Sequence, residues 1–487
     1  MNLTNNERTF TTFLTIVTLL LAVFLTTRTP NDADMWWHLR SGQVMVTQGH
    51  ILTTDVFSYT RFGSAWTNVF WLADIGLYLL YQLGGFFALS LAVGILAALI
   101  MWILLKHSPG PFPLRMGLVL LASFGISAFM NPRPQVLSFL LLAVLDFCLT
   151  RFKQNGRPAA WMLVTLFVLW ANLHGGFFWG FLLLAAFIVG EVMNHLTDAE
   201  NALGWRKIGQ LAGWGALSWL ATVINPSGLA LWKLPFYTVQ ISLGIIVEWA
   251  SPNFHRVDMQ PMLWLIFLLI LGAGFAKKQI NWTDMLKFCG FSYMAFISQR
   301  SIGPFVLIAV PVVSRYLAQA WEERLRGVFV PTRTDGYKRQ APTLPFSARK
   351  IVNVVIILIL TFLALGRAYW LSTPDKVYAE LPQKAVNWVK ENRPEGRMFN
   401  SYNWGGYLTW ALPEHPVFID GRADLYGDEL MNGWWDVVNG SEKGLALLDK
   451  WKIKFVVLEP GWPVLQELST QGWQLLYKDN QAVIYGR

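Results

Sequence analysis

Charged residues are scarce in this chain of 487 residues, since Asp, Glu, Lys and Arg together make up only 14% of it. A soluble globular protein contains roughly 25% of these residues. Hydrophobic residues account for 54% of the chain, and many of them form long apolar runs. The scarcity of charge and the long runs exclude an ordinary soluble domain and indicate a membrane protein.

Cysteine is scarcer still, and the two that occur, Cys148 and Cys289, lie within apolar segments. This leaves no basis for a disulfide framework, a cysteine-ligated zinc site or thiol redox chemistry. The net charge of +9 would suit a protein that binds nucleic acid, but the basic residues are dispersed and flank the apolar runs. Membrane topology explains that distribution, so we expect no nucleic-acid partner.

The apolar runs predict about eleven transmembrane helices, each needing roughly 20 apolar residues, or fewer where neighbours shield its ends. They lie near residues 8–27, 84–105, 114–131, 135–151, 159–172, 176–194, 208–225, 261–276, 282–298, 302–320 and 350–370. The first run lacks a small-residue cleavage site before Thr29, which favours an uncleaved helix over a signal peptide. The segment from Trp66 to Leu83 is interrupted by polar residues, and we expect a helix along the membrane surface.

The distribution of Lys and Arg among the loops predicts the orientation of the chain. One set of loops contains basic residues at positions 106, 115, 151, 153, 157, 206, 207, 277 and 278 and throughout 324–350. This side and the N-terminus are expected to be cytoplasmic, and the short loops favour a bacterial plasma (inner) membrane. The first outer loop (28–83) and the other motif-like clusters then share the opposite, periplasmic or extracellular, face.

The residues after 370 are much less apolar, and they predict a small extracytoplasmic α/β domain over 371–487. Short strands are predicted at 417–419, 454–458 and 482–485, and helices at 383–391 and 443–450. Residues 320–349 are basic and contain proline, which indicates a partly flexible cytoplasmic linker. The predicted fold is therefore a polytopic α-helical membrane domain (1–370) followed by an α/β domain.

The stretch Asp32-Ala33-Asp34-Met35-Trp36-Trp37-His38-Leu39-Arg40 follows the first span. Ionisable groups at membrane level are costly and usually have a function. Asp34 facing an outer cavity could act as a general base or bind a divalent cation. The alternative is that Asp34 caps a helix beginning near Met35, and Asp32 is a second candidate for the catalytic role.

The residues from Asp34 to Arg40 resemble the Asp-x-Tyr-Tyr-His-x-Arg motif in the first outer loop of oligosaccharyltransferase catalytic subunits. They are also similar to the Asp-Glu-x-x-Tyr motif of protein O-mannosyltransferases and aminoarabinose transferases. All of these belong to the GT-C superfamily of membrane glycosyltransferases, which use polyprenyl phosphate- or pyrophosphate-linked sugars on the outer or lumenal face. The resemblance implies a GT-C-like fold in which Asp34 is catalytic or metal-binding.

Two further positions are similar to the same family. Ile245-Ile246-Val247-Glu248 resembles the Thr-Ile-x-Glu motif, which implies a catalytic role for Glu248; an ordinary surface glutamate is the alternative. Arg300 lies at an outer helix end, where the family keeps an arginine for the lipid-linked phosphate. The planar fork of arginine suits phosphate oxygens, but the alternative is an arginine whose head reaches the membrane interface.

The segment Asn403-Trp404-Gly405-Gly406-Tyr407-Leu408, followed by Asp420-Gly421-Arg422, resembles the Trp-Trp-Asp-Tyr-Gly block and downstream Asp-Gly of oligosaccharyltransferases. Asn403 best matches the Asp of that block. The resemblance implies acceptor binding by Asn403, Trp404, Asp420 and Arg422. Bracing of the α/β domain on the membrane domain is an equally good interpretation of Asp420 and Arg422.

The second outer loop departs from the family, because Asn131-Pro132-Arg133-Pro134-Gln135 contains no acidic metal ligand. A metal site would have one firm ligand, Asp34, so a divalent cation (Mg²⁺ or Mn²⁺) stays open. Arg133 instead indicates phosphate or carboxylate binding without metal. His174, beside Gly175 and Gly176, could donate to a phosphate or sugar or could belong to a tight turn. Arg40 and His38 complete the predicted donor-phosphate set.

The sequence therefore predicts an inverting membrane glycosyltransferase. It would transfer a sugar from a polyprenyl-linked donor to a protein, lipid or glycan acceptor on the outer face. One alternative is a transporter or flippase of lipid-linked saccharides, and another is a non-catalytic scaffold for envelope assembly. The spans are expected to be nearly free of charge pairs and the motifs share one face, which argues against a transporter.

Overall fold

The computed structural model describes residues 5–234, 246–277, 279–325 and 346–487. The helices up to residue 371 are α1 (Asn5–Thr26), α2 (Ala33–Gln48), α3 (Trp71–His107), α4 (Phe112–Ser127), α5 (Gln135–Asn155), α6 (Met162–Ala171), α7 (Phe177–Leu196), α8 (Trp205–Ala221), α9 (Pro261–Phe275), α10 (Trp282–Ile297), α11 (Ile302–Ala320) and α12 (Phe346–Leu371). Short 3-10 helices occupy Gly228–Lys233, Val247–Trp249, Val257–Met259 and Gln299–Ser301, and a π-helical turn occupies Trp321–Leu325. Most of the predicted linker 320–349 lies outside the described residues.

Each of the eleven predicted spans coincides with a helix, and the chain is a polytopic helical membrane protein. Seven stretches of the described residues are long and apolar enough to cross a bilayer by themselves: Arg8–Thr26, Trp71–His107, Gln135–Asn155, Phe177–Leu196, Val257–Phe275, Gln299–Glu323 and Ala348–Leu371. Helices α4 and α6 are apolar but shorter. Helix α11 is the central element, since nearly all its side chains are buried against the surrounding helices.

The predicted surface helix is the first part of α3, which begins at Trp71 rather than Trp66. The chain changes direction at Gly84 and Gly85, whose φ/ψ angles are −167°/27° and 59°/−146°. The positive φ of Gly85 is readily adopted only by glycine. The two glycines therefore separate the helix that precedes them from the apolar span that follows.

Charged side chains pair between helices at the end of the bundle opposite the α/β domain. Lys287 Nζ lies 2.8 Å from Asp146 Oδ1, and His107 Nε2 lies 3.0 Å from Asp146 Oδ2. Lys153 Nζ lies 2.6 Å from Glu191 Oε1. The expectation that the spans are nearly free of charge pairs is therefore wrong. Because the buried carboxylates all meet donors, the pairs hold the helices together rather than forming an open polar path.

The residues after α12 form a four-stranded sheet with short helices around it. The strands are β1 (Arg397–Asn400), β2 (Ile453–Leu458), β3 (Gln474–Lys478) and β4 (Val483–Gly486), in the order β1-β2-β4-β3. The helices are α13 (Pro374–Val377), α14 (Gln383–Asn392), α15 (Gly405–Ala411), α16 (Ala423–Val438), α17 (Glu442–Lys450) and α18 (Val464–Thr470). Strand β1 is parallel to β2, and the other pairs are antiparallel.

The strand predicted at 417–419 is wrong, because Val417 forms only a single bridge, with Ser58. The backbone N–H of Val417 donates to the carbonyl of Phe57, and that of Tyr59 donates to the carbonyl of Val417. The apolar run is thus buried against the connection between α2 and α3 and not in the sheet. Strands β1 and β3 were not predicted from the sequence. Strand β3 exposes most of its side chains and lacks a clear alternation of buried and exposed residues.

Arg422 joins the connection between α2 and α3 to the α/β domain. Its guanidinium is 1% exposed and lies 2.7 Å from both Asp55 Oδ1 and Asp420 Oδ2. It also stacks over Phe57 and Trp66, with its central carbon 5.0 and 4.9 Å from the ring centres. Acceptor binding by Asp420 and Arg422 is thus replaced by the bracing interpretation, because both side chains are fully engaged inside the protein.

Arg422→Ala is expected to loosen the α/β domain, because it leaves Asp55 and Asp420 buried without their cation. Removing one partner of a buried ion pair costs about 3–5 kcal/mol. Thermal unfolding in detergent should show a clearly lower midpoint than wild type. Lys450→Ala, at an exposed position of the same domain, is the control; equal midpoints for both variants would contradict the bracing role.

Candidate active site

Asp32 and Asp34 have different roles at the start of α2. Asp32 is the N-cap, and its Oδ1 accepts a hydrogen bond from the backbone N–H of Asp34 at 3.0 Å. Asp34 therefore does not cap the helix, and its carboxylate is available for other contacts. Its Oδ1 accepts a hydrogen bond from Trp37 Nε1 at 3.1 Å, since residues three apart share a helix face.

Arg133 gathers the three carboxylates that the sequence singled out as catalytic. Its Nη1 lies 3.2 Å from Asp34 Oδ2 and 3.5 Å from Asp32 Oδ2. Its Nη2 lies 2.7 Å from Glu248 Oε1. Asn131 supports the group by donating from Nδ2 to Asp32 Oδ2 at 3.0 Å. Segments 99 and 115 residues apart along the chain therefore meet around one guanidinium.

Glu248 and Arg300 come from two segments that bind each other. The hydroxyl of Ser298 donates to the carbonyl of Glu248, and the backbone N–H of Gln299 donates to the carbonyl of Ala250. These contacts place Arg300 next to Glu248, with its guanidinium 5.7 Å from the ring centre of Trp249. Ile245, at the threonine position of the family motif, lies outside the described residues. Within the described ranges, Arg300 forms no ion pair.

The surroundings of Asp34 favour a carboxyl group that titrates near neutral pH. Burial and the neighbouring Asp32 raise the pKa of Asp34 from 3.8 to about 7, against the opposing charge of Arg133. Its side chain is nevertheless 31% exposed, so solvent and ligands can reach it. Burial also tends to raise the pKa of Glu248, but Arg133 and Arg300 outweigh it and keep that pKa below its usual range. The two carboxylates therefore differ in protonation, which suits Asp34 for proton transfer.

His174 is a neutral hydrogen-bond donor at the edge of the site. Its Nδ1 accepts from the backbone N–H of Gly176 at 2.8 Å and lies 2.7 Å from the hydroxyl of Ser138. Because Nδ1 accepts, the ring proton is on Nε2. Burial and the charges of Arg300 and Arg133 lower the pKa of His174 well below its usual range. Because Arg300 and Arg133 both act on this pKa, His174 lies within electrostatic range of the two arginines.

Other predicted residues lie elsewhere. His38 Nδ1 lies 2.6 Å from Asp74 Oδ1 in a buried pair, so this nitrogen is not available to a phosphate. Arg40 donates to Gln43 at 2.6 Å, on the side of α2 away from Asp34. Trp404 is buried in the core beside α2 rather than presented to an acceptor, whereas Asn403 is exposed.

Two glycines let the α/β domain cover Asp34. A Cβ atom on Gly421 would lie 2.0 Å from Asp34 Oδ1, and one on Gly406 would lie 2.5 Å from the carbonyl oxygen of Ala33. Any larger residue would push the domain away from α2. The two segments that the family resemblance singled out both reach the start of α2, through Gly406 and Gly421 and not through Trp404 and Arg422.

Tyr402 is a site residue that the sequence did not reveal. Burial and the charges of Asp34 and Asp420 raise the pKa of its hydroxyl, so the phenol lies within electrostatic range of both carboxylates. Its ring packs beside Trp434, with the ring centres 5.9 Å apart. The only available signal was its position immediately before Asn403.

The carboxylates do not fit a divalent cation. Among the residues that the structure describes, no group of three or more His, Cys, Asp and Glu side chains has a metal-binding arrangement. The guanidinium of Arg133 occupies the space between Asp32, Asp34 and Glu248 instead. Asp34, the predicted metal ligand, therefore faces an internal cation.

An apolar cleft of about 660 Å³ opens on the helical bundle, with Asn172 in its wall. It lies between the start of α3, the second half of α6 and the segment 224–226; its walls include Trp71, Leu72, Val168, Leu169 and Ile224. At its polar end, Trp71 Nε1 donates to Asn172 Oδ1 at 2.9 Å. Asn172 is two residues from His174 in the chain.

Comparison with known proteins gives matches at the level of structure alone, since no family model and no curated protein matches the sequence. The oligosaccharyltransferase of Archaeoglobus fulgidus aligns over 93% of this chain and 70% of its own, with a TM-score of 0.58 and 11% identity. ArnT from Cupriavidus metallidurans aligns over 99% and 98%, with a TM-score of 0.51 and 13% identity.

The arabinofuranosyltransferase AftD from Mycobacteria aligns over 100% of this chain and 40% of its own, with a TM-score of 0.51 and 13% identity. These structures share the GT-C architecture of a helical membrane domain. The chain therefore has a distant GT-C-like fold, as the first-loop motif predicted.

The raised pKa of Asp34 predicts a pH dependence of stability. Between pH ~4 and ~7 the folded protein keeps a proton on Asp34 that the unfolded chain has lost, so the free energy of unfolding falls as the pH rises. Asp34→Asn should remove this part of the slope. Thermal midpoints measured across that range test it, with Asp375→Asn, at an exposed position, as control; an unchanged slope in Asp34→Asn would refute it.

Proposed function

We propose that this protein is a membrane glycosyltransferase that takes a sugar from a polyprenyl-phosphate-type donor and transfers it to an acceptor. The observation that carries the proposal is Asp34, with a pKa of about 7, at the junction of the helical bundle and the α/β domain. Arg300, a cation without an ion pair among the described residues, lies within electrostatic range of Asp34 and Glu248. A general base and a cation without an ion pair among the described residues are the two groups that such a transfer requires.

The donor phosphate is assigned to Arg300, with His174 as a second donor through Nε2. As the bond between the sugar and the phosphate oxygen breaks, negative charge grows on the phosphate, and a fixed guanidinium stabilises it. Arg133 is less suited to this task, because its charge already meets three carboxylates. The archaeal oligosaccharyltransferase with a similar fold has been solved in complex with a dolichol-phosphate and an inhibitory peptide. The apolar cleft beside Asn172 offers a place for the lipid chain.

The acceptor is assigned to the solvent-exposed side of Asp34, whose side chain is 31% exposed. Its nucleophilic hydroxyl or amide would attack the anomeric carbon from the side opposite the phosphate, which inverts the configuration. Asp34 would take the proton of the nucleophile, and the lipid phosphate would leave. Tyr402 and the exposed Asn403 border this approach and are suited to contact a protein, lipid or glycan acceptor.

The site is assigned to the outer face of a plasma membrane, with the N-terminus in the cytoplasm. The basic residues Lys106, Arg115, Arg151 and Lys153 lie in the terminal turns of α3, α4 and α5, at the opposite end of the bundle from Asp34. An excess of Lys and Arg marks the cytoplasmic end of membrane helices. A site on the outer face would need a lipid-linked donor, in agreement with the phosphate site proposed at Arg300.

Asp34→Asn is expected to lower the rate of sugar transfer by about 10²- to 10⁴-fold, the usual contribution of a general base. The assay incubates purified protein with radiolabelled polyprenyl-phosphate sugars and an envelope extract as the source of acceptor. The wild-type rate should rise with pH to a plateau above about 7, as Asp34 loses its proton.

Asp375→Asn, at an exposed position away from the site, should transfer sugar as wild type does. If wild type transfers no label from any lipid-linked donor while lipid-linked sugar crosses vesicles that contain it, the protein is a flippase. Absence of both transfer and crossing would favour the envelope scaffold.

Arg300→Ala should raise the donor concentration needed for half-maximal rate by about 10- to 100-fold, the value of a charge-assisted hydrogen bond. Arg300→Lys should recover part of that loss, because it keeps a cation but not the planar fork. Arg256→Ala is the matched control, since Arg256 is half-exposed and pairs with Asp258 outside the site. An equal effect of the Arg300→Ala and Arg256→Ala variants on donor saturation would remove the assignment of the phosphate to Arg300.

A further inference from the structure

We infer that Arg133 is a permanent internal cation that takes the place of a divalent metal among Asp32, Asp34 and Glu248, so that the site binds and needs no metal ion. This inference rests on the proposed transferase activity for its catalytic meaning. Its structural content, which cation the three carboxylates hold, can be measured without any substrate.

The first argument is that protein donors already engage nearly every carboxylate oxygen. Asp32 Oδ1 accepts from the backbone of Asp34, and its Oδ2 accepts from Asn131. Asp34 Oδ1 accepts from Trp37, and its Oδ2 accepts from Arg133. A metal ion would have to displace several of these bonds at once, because it binds oxygen atoms directly.

The second argument is steric. Mg²⁺ and similar ions need oxygen ligands at about 2.0–2.2 Å in a nearly octahedral arrangement. The two terminal nitrogens of Arg133 stand between the three carboxylates at 2.7, 3.2 and 3.5 Å. No ion can share this position with the guanidinium, and the positive charge of the arginine repels one.

The third argument is that burial and the backbone of the turn fix the position of Arg133. Its side chain is 6% exposed, and Pro132 and Pro134 on either side restrict the backbone of the turn. Its backbone N–H donates to the carbonyl of Asn131 at 2.7 Å, which closes the turn before α5. Since the guanidinium stays protonated at all physiological pH values, the cation is present whenever the protein is folded.

It follows that the two arginines of the site, Arg133 and Arg300, have different roles. Arg133 brings together the start of α2, the α4–α5 connection and the 3-10 helix of Glu248. Arg300 keeps its charge available for the donor phosphate. The carboxylate of Asp34 is therefore positioned by the chain itself, and chelation of metal should not disturb it.

The test uses full-length protein in nanodiscs with Mn²⁺ as the probe, followed by electron paramagnetic resonance. Wild type should show no bound Mn²⁺ that depends on Asp34, so its spectrum should equal that of Asp34→Asn. Arg133→Ala uncovers three carboxylates and should bind Mn²⁺ about tenfold more tightly or better, because affinity follows ligand charge. The double variant Arg133→Ala/Asp34→Asn should lose that gain.

Two further variants act as controls. Arg133→Lys keeps a cation and should gain no Mn²⁺. Arg256→Ala uncovers the single carboxylate of Asp258 and should gain none either, which separates a three-carboxylate site from one unpaired acid. Folded Arg133→Ala protein that gains no Mn²⁺ would overturn the inference.

If Arg133→Ala does not fold, Mn²⁺ binding by the wild-type protein still tests the inference. Mn²⁺ binding by wild type that disappears in Asp34→Asn would overturn the inference. So would sugar transfer that EDTA abolishes and Mn²⁺ restores. Absence of transfer by wild type, with the Mn²⁺ results as expected, would instead reject the proposed function and leave the internal cation in place.

Discussion

The buried guanidinium of Arg133 needs negatively charged partners. The carboxylates that pair with it form the candidate active site. The arginine lies in the turn before α5 and meets Asp32 and Asp34 at the start of α2 and Glu248 in a distant 3-10 helix. Burying any of these charges alone would be costly, so each segment is stable in its position only when the others are present. The chain thereby assembles three loops into one site without relying on a single continuous element.

A second buried arginine holds the α/β domain against the site. Arg422 pairs with Asp55 and Asp420 and ties the connection between α2 and α3 to the α/β domain. This contact holds Gly421 against the carboxylate of Asp34, where no larger residue would fit. The domain is thus part of the wall around Asp34, and its burial contributes to the raised pKa on which the proposed base role depends. Fold stability and the chemistry of the site are linked through the same interface.

The three arginines near the site differ in how far their charge is neutralised. Arg133 and Arg422 are surrounded by carboxylates and act as internal ties. Arg300 forms no ion pair among the described residues, and it therefore has unused capacity for an anion. The same residue type serves positioning in two places and, as we propose, phosphate binding in the third. Composition and motif do not separate these roles, because they follow from which acids lie within reach.

The sequence by itself determined the membrane class, the positions of the helical spans, the GT-C-like fold and Asp34 as the leading candidate. These follow from hydropathy and from a local motif, both of which are properties of neighbouring residues. Only the tertiary structure decided that Asp32 caps the helix, that His38 pairs with Asp74, and that Arg422 braces the domain. It also showed that Arg133, which has no apparent partner in the sequence, lies at the centre of three carboxylates. The reason is physical: pairing and pKa depend on distances of a few ångströms between segments about a hundred residues apart, and local sequence carries no record of those distances.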